Sequence, residues 1–399
     1  MERTDLDVIV AGAGAGGAAA AYYLAQAGLD VLVADKASLP RYKACGGAIP
    51  RTVLDRLSFD FEALIETAPD RARFTFPGQL AVDVSLPNRP VAMVMRSRFD
   101  AFLLAQAGVE VWTQAPVTAV TENRDSVKVI VRGRQLTARY LVGADGATSC
   151  VARQLGLRRN RQLGGSLEAE VQLSGRPELR SKFGNRAVFA FGVIPWGYAW
   201  SFPKKDHLSV GIGRVRPGKV DLPSALGREM ARMGIPLDGV AFHGHPLPCY
   251  QAPPWPFWRE TGWLRPGNRN RHPQEPLSTR RSLLVGDAAG LVDPLIGEGI
   301  RYAIASARLA AEAIVQDDLS IYESKIWREI GHSLATAGLT ANTYYRLPRF
   351  GFRVGLRNPT TVRHLIDVIT GRTSYQGIGR RVLADTVRWR RDGHTTPDT

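Results

Sequence analysis

Three groups of residues in this chain have the types and spacing to do chemistry. Gly12-Ala13-Gly14-Ala15-Gly16-Gly17 follows the apolar run Asp7-Val8-Ile9-Val10-Ala11 and opens an alanine-rich stretch reaching about Ala27. This is the glycine order of a dinucleotide site. Gly12 makes the tight turn, Gly14 lets backbone approach a pyrophosphate with Ala15 beside it, and Gly17 packs helix against strand. The apolar run Leu29 to Ala34 ends at Asp35, 23 residues after Gly12, where a carboxylate accepts ribose hydroxyls, and Lys36 adjoins it. The second group is Cys45-Gly46-Gly47 in the loop that begins Leu39-Pro40-Arg41-Tyr42-Lys43. Paired glycines let backbone lie against a flat ligand and put the Cys45 thiol at its edge; a buried structural thiol is the other reading. The third is Tyr198, Trp200 and Phe202, which alternate along a strand and so form one flat apolar wall, or else the aromatic filling of a sheet core.

The elements that must hold these residues follow from periodicity. Strand, glycine turn, helix, second strand and terminal acid succeed one another through Asp35. Ala72–Phe76 and Leu80–Val84 alternate as short strands of a second sheet. A helix begins in Arg96-Ser97-Arg98-Phe99-Asp100, with Leu103, Leu104 and Ala107 on one face. Three further runs, Val117–Thr121, Ser126–Arg132 and Leu136–Leu141, lead to Gly143-Ala144-Asp145-Gly146, which alone could be a tight turn. From Gly164 to Gly213 the period is two, as in an antiparallel sheet with one solvated face. A helix is predicted over Leu222–Met233 and a strand around Val240–His243. His207 reads as a turn residue, and His243 and His245 lack partners at metal-ligand spacing. Ser282–Val285 is a buried-type strand running into Gly286-Asp287. Beyond Glu298, the positions Ile300, Ile304, Ala307, Ala311 and Ile314 keep helical spacing. Asn358-Pro359 starts a last helix, which Gly371 ends.

Composition narrows the class. With 44% apolar and 22% charged residues over 399 positions, the chain can bury a full core. Val8–Ala25 is uncharged, yet its four glycines read as strand and helix, not as a leader or a membrane span. Cys45, Cys150 and Cys249 make no disulfide or metal framework, which fits a reducing cytoplasm. The net charge of +15 is uneven: residues 253–281 hold six Arg against two Glu, and residues 340–399 hold eleven Arg against four Asp. The first, with Trp255, Phe257, Trp258 and Trp263, suits a membrane interface, a subunit contact or single-stranded nucleic acid; the second, with the basic amphipathic stretch Ile378–Arg391, suits an anionic bilayer or equally a cap on the β-sheet domain.

The Pro-Arg-x-Lys-x-Cys-Gly-Gly-Ala run downstream of a glycine turn resembles the geranylgeranyl reductase family of FAD-dependent oxidoreductases, within the p-hydroxybenzoate hydroxylase-like flavoproteins. Arg96-x-x-Phe-Asp, Gly-Ala-Asp-Gly at 143–146, Tyr-x-Trp-x-Phe-Pro at 198–203 and Gly-Asp-Ala-Ala-Gly at 286–290 extend the resemblance over roughly residues 5 to 390. Relative to the family, residues 253–281 look like an insertion. The resemblance implies that Arg96 lies near FAD and that Asp145 meets its pyrophosphate and ribose side. It also implies that Gly286 and Asp287 meet the ribityl-phosphate region, and that Gly297, Gly299 and Ile300 face the flavin's pyrimidine edge.

The fold so implied is α/β. A Rossmann-type FAD-binding domain is assembled from discontinuous segments (1–72, 92–162 and 276–318), with an antiparallel β-sheet substrate domain (73–91 and 163–275) and a helical C-terminal region (319–399). The implied activity is saturation of isolated C=C bonds in an isoprenoid chain by flavin hydride plus a proton, with Cys45, Tyr198, Trp200 and Phe202 as catalytic residues. Only one dinucleotide fingerprint is visible, so NADPH or another donor must act transiently. A monooxygenase or halogenase of the same fold is the enzyme alternative, and an FAD-containing nucleic-acid-binding protein the alternative from another class. The expected partners are a lipid substrate and a membrane surface touched peripherally from the cytoplasm.

Overall fold

A computed structural model describes residues 6–251, 275–356 and 358–376. Leu6, Val8, Ile9 and Val10 leave no polar face, and the strand they form, Leu6–Ala11, is accordingly central and sealed on both sides. It pairs in parallel with Val31–Ala34 and with Arg134–Gly143, setting Ala11 opposite Ala34 and Gly143. Ser282–Leu284 continues the parallel set, with Leu284 opposite Gly143. This shared register positions everything that follows: four strands end level, so the turns after Ala11, Ala34, Gly143 and Leu284 open at one edge of the sheet. Glu110–Trp112 and the antiparallel strands Val127–Val131 and Val117–Glu122 complete its seven strands.

The helix Ala15–Gln26 covers this sheet through Ala18, Ala19, Ala20 and Ala21, all fully buried, whose small side chains bring the helix close. Gly16 extends that closeness to the helix Ile300–Val315: a Cβ on it would stand 3.5 Å from the Cβ of Ala303.

A second seven-stranded sheet runs in the order His243–Leu247, Gly164–Gln172, His207–Arg214, Gly197–Pro203, Arg186–Phe191, Arg71–Thr75, Val82–Ser85. It is antiparallel except where Arg186–Phe191 meets Arg71–Thr75. The expectation of a solvated face is corrected here. Every residue of Gly197–Pro203 is buried, because the helices Pro177–Phe183 and Leu222–Met233 cover one side and the cofactor-side loops and C-terminal helices the other. Arg71 and Ala72 already belong to this sheet, while Val91–Val94 pairs with Ala48–Pro50 and Ile65–Thr67 in a small third one. The strand expected around Val240–His243 lies later, at His243–Leu247, and His207 starts a strand and is buried.

The C-terminal region is helical through Ser320–Ile326, His332–Arg346 and Pro359–Ile369. Asn358 Oδ1 accepts from the Thr361 N–H at 3.4 Å, and Gly371 turns left-handed at φ +70°. Among the described residues no helix is long and apolar enough to cross a membrane. Most of the aromatic and Arg-rich segment (252–274) and the stretch Ile378–Arg391 lie outside the described residues.

Gly17 has no room for a side chain, since a Cβ would lie 1.8 Å from the Gly12 carbonyl oxygen. Gly17→Val is therefore expected to destabilise the chain by about 2 kcal/mol or more through forced separation of turn and helix. A thermal melt that matches wild type would show that the turn relaxes freely.

Candidate active site

A cavity of about 730 Å³ is walled jointly by the loops at the level edge of the first sheet and by the Gly197–Pro203 strand of the second. Every residue singled out from the sequence for catalysis or cofactor binding contributes to its wall except Gly17, which packs behind the turn. Gly12 adopts φ +104° and sits so close to the second fingerprint that a Cβ would be 2.4 Å from Ala144 O. Two helices point their starts at the cavity, Ala15–Gln26 from Gly14 and Ile300–Val315 from Gly299, and neither has a side-chain cap or an acid in its first turn. Their free N–H groups and positive ends attract anionic or electron-rich groups.

Asp35 is less free than its position suggested. Its Oδ2 accepts from the Ala13 N–H at 2.6 Å and its Oδ1 from the Ala37 N–H at 2.8 Å, which leaves about one acceptor site per oxygen for a ligand. Asp145 is also partly committed, because its Oδ2 accepts from the Cys150 and Val151 N–H groups at the start of the next helix. Its Oδ1 is buried with no partner.

The cysteine loop is fixed by groups the sequence did not single out. Glu168, 3% exposed, accepts from the Cys45 N–H at 2.8 Å, from Tyr42 Oη at 2.8 Å and from Ser209 Oγ at 2.6 Å. Burial raises its pKa, opposed by those donors. Trp200 Nε1 donates to the same Ser209 hydroxyl at 3.3 Å, so one carboxyl orients both the cysteine loop and the aromatic wall. Lys204 donates to Gly46 O at 2.7 Å and to Val94 O at 2.9 Å, and burial lowers its pKa to about 8. Arg96 is held by Asp100 at 2.9 and 2.8 Å and also touches the Cys45 thiol. Burial opposes its charge, but Asp100 and Cys45 outweigh that and keep it above the ordinary guanidinium range.

Glu168 was legible only as one of two acids on an alternating strand, and that alternation pointed to solvent. His245, considered only as a metal ligand, approaches Asp287 Oδ2 at 3.5 Å, while Lys43 Nζ reaches the same oxygen at 3.1 Å. Burial alone would raise the Asp287 pKa; Lys43 and His245 overcome it and hold the carboxylate well below its usual range. No group of three or more potential metal ligands gathers anywhere among the described residues.

The wall itself rests on glycine. A Cβ on Gly46 would lie 2.7 Å from Phe202 and 3.2 Å from Trp200 Nε1, and a Cβ on Gly211 would lie 2.1 Å from the Trp200 ring. Tyr198 donates its hydroxyl to Ile296 O, next to Gly297.

The FAD binding domain family matches residues 5–178. A menaquinone reductase from Mycobacterium tuberculosis is 30% identical over 96% of this chain and 91% of its own length. A chloroplastic geranylgeranyl diphosphate reductase from rice is also 30% identical, over 78% of this chain and 66% of its own length. The chain belongs to the geranylgeranyl reductase family of FAD-dependent oxidoreductases. A solved geranylgeranyl bacteriochlorophyll reductase-like protein from Thermoplasma acidophilum shares the fold, with a TM-score of 0.72, 21% identity and coverage of 98% and 99% of the two chains.

The family's cofactor, FAD, fits the cavity as built. Two uncapped helix starts face it, the unpartnered Asp145 Oδ1 lies beside it, and the Gly12–Gly14 turn admits a diphosphate against backbone.

Glu298 also lines this FAD cavity, and its carboxyl has no hydrogen bond of good geometry although Arg301 lies 2.7 Å away. Burial lifts its pKa to about 7 against the pull of Arg301. The folded chain therefore binds this proton more tightly than the unfolded chain. The resulting stabilisation is full below the ordinary glutamate value of 4.5 and is lost as pH rises to about 7. Glu298→Gln is expected to remove that decline, on the order of 2 kcal/mol, from melts of the FAD-loaded protein compared between about pH 5 and pH 8. An unchanged pH profile would place the titration elsewhere. Glu168→Ala is expected to cost about 3 kcal/mol by stranding Tyr42, Ser209 and the Cys45 N–H, with Glu168→Gln recovering part of it; the check is thermal stability together with retained flavin absorbance.

Proposed function

We propose that this FAD-dependent oxidoreductase saturates isolated double bonds of a polyprenyl chain of the geranylgeranyl type. The observation that carries the reading is the seating of the aromatic wall on the cysteine loop. With no side chain at Gly46, Trp200 and Phe202 lie directly against the cysteine loop, so a flat aromatic surface and the Cys45 thiol line the same cavity. An isolated alkene is not polarised, so reduction requires that it be held flat, kept from water and brought within about 3–3.5 Å of its reaction partners.

When bound and reduced by NADPH or another small donor, FAD would supply the hydride for one alkene carbon. Tyr198, Trp200 and Phe202 hold the chain in plane and exclude solvent. Cys45 gives its proton to the other carbon, and the negative charge left on sulfur faces Arg96, a cation that Asp100 fixes in place. Arg41, Lys43 and the start of the Ala15–Gln26 helix would hold the cofactor's diphosphate, and the start of the Ile300–Val315 helix its electron-rich flavin edge. Solvent returns the thiol proton. The names of the rice and mycobacterial relatives support a geranylgeranyl chain or a quinone tail as the substrate class. A substrate carried in a bilayer would account for the basic residues of 253–281 and 378–391.

The test is anaerobic mixing of the reduced flavoprotein with geranylgeranyl diphosphate and with a polyprenyl quinone, following flavin reoxidation and product mass. Gain of two hydrogens per bond is the expected result. Reoxidation only on admitting oxygen would replace the reading with a monooxygenase. Cys45→Ala is expected to slow the anaerobic step about 100-fold or more while leaving flavin binding intact; undiminished reoxidation would remove Cys45 as the proton donor.

A further inference from the structure

Where the His332–Arg346 helix ends, the chain turns a corner into the short helix Pro348–Gly351. Leu347 and Phe350 project there, 61% and 59% exposed. Arg346, Arg349 and Arg353 surround them and are likewise exposed. The stretch between Glu329 and Asp367 contains no acidic residue at all. Arg216 adds a fourth cation, stacked 3.7 Å over the Trp196 ring and near enough to Arg346 to feel its charge.

Beside these side chains opens a groove of about 600 Å³, lined by Phe76, Ile194, Trp196, Leu347 and Phe350 among others, with no acid in its wall. From Tyr345 in its wall, which packs on Tyr344 at 5.3 Å, a file of rings leads inward. Tyr344 packs on Phe191 at 5.4 Å and Phe191 on Tyr198 at 5.4 Å, and Tyr198 lines the FAD cavity.

An occupant of this corner must match both protruding apolar side chains and a cluster of positive charge beside a groove that has no acid among its described residues. A second copy meeting it about a two-fold axis would set arginine against arginine. The chain's own sequence after residue 376 has five Arg against three Asp, so it too carries the wrong sign. Nucleic acid supplies phosphates but offers nothing to the aliphatic Leu347. A bilayer supplies phosphate at its surface and hydrocarbon just beneath.

We propose that the corner from Arg346 to Arg353 docks on the anionic surface of a lipid bilayer, with Leu347 and Phe350 entering the acyl boundary and Arg346, Arg349 and Arg353 pairing with lipid phosphates. The inference rests on the polyprenyl reading for its purpose, because docking there sets the groove and its file of rings between hydrocarbon and the FAD cavity. The contact itself needs no substrate.

The experiment is flotation of the full-length, FAD-loaded protein with vesicles of phosphatidylcholine alone or mixed with phosphatidylglycerol, in the absence of any isoprenoid. Binding is expected only with phosphatidylglycerol and is expected to weaken as salt is raised. The double variants Leu347→Ser with Phe350→Ser, and Arg346→Gln with Arg349→Gln, are each expected to weaken it about tenfold at unchanged melting temperature and flavin content. Both variants retain every basic residue of 253–281 and 377–399, so a loss belongs to the corner. Wild-type failure to float, variants that float like wild type, or preference for single-stranded RNA over vesicles would each overturn the proposal. Because the vesicles hold no reducible chain, a failed reductase assay and a failed flotation are separate results.

Discussion

A carboxyl group shut away from water must be satisfied by its neighbours, and Glu168 draws those neighbours from two different sheets. It stands on a strand of the second sheet, yet two of its three donors, Tyr42 and the Cys45 backbone, belong to the loop leaving the first. The third, Ser209, passes the constraint to the indole of Trp200. Lys204 makes the return connection, from the second sheet to Gly46 O and Val94 O. The thiol, its glycine neighbours and the aromatic wall thus share one hydrogen-bonded frame. Breaking it leaves buried polar groups stranded on both sides, which is what makes the frame rigid.

Charge is distributed around the cavity with the same economy. The two helix starts that face it are left without caps, and fixed carboxylates lie to their sides with partners of their own: Asp35 on backbone N–H groups, Asp100 on Arg96, Asp287 on Lys43 and His245. What remains unanswered at the wall includes helix-end N–H groups, one oxygen of Asp145 and the Glu298 carboxyl. That is a combination suited to a ligand with a diphosphate and several hydroxyls.

The first sheet was legible because its signals are local. A glycine turn after a buried strand, an acid closing the next strand and a glycine-flanked helix start each state their geometry within a few residues. The parallel register of Ala11, Ala34, Gly143 and Leu284 then brings segments 273 residues apart to one edge. The frame around Glu168 was not legible, for a physical reason. Period-two alternation tells which residues share a face but not what covers that face. Glu168 has the alternation of a solvated acid, and the loop that encloses it comes from a distant part of the chain. Lys43, Lys204 and His245 were hidden in the same way, each acquiring its role from a partner far off in sequence. Asp35 and Asp145 show the converse limit: their neighbourhood was readable, but not the backbone donors that already occupy part of each carboxylate.

The glycines under the aromatic wall bear on how such a site can evolve. Gly46 and Gly211 are seats into which Phe202 and Trp200 are pressed, leaving no volume for even a methyl group unless a ring gives way. Substitutions there would displace the wall, not trim the slot. Variation in the shape of the cavity is therefore open at the rings themselves and along the file from Tyr198 through Phe191 to Tyr344, where a smaller side chain opens space without adding bulk against the cysteine loop. The rings can be resized; their glycine seats cannot.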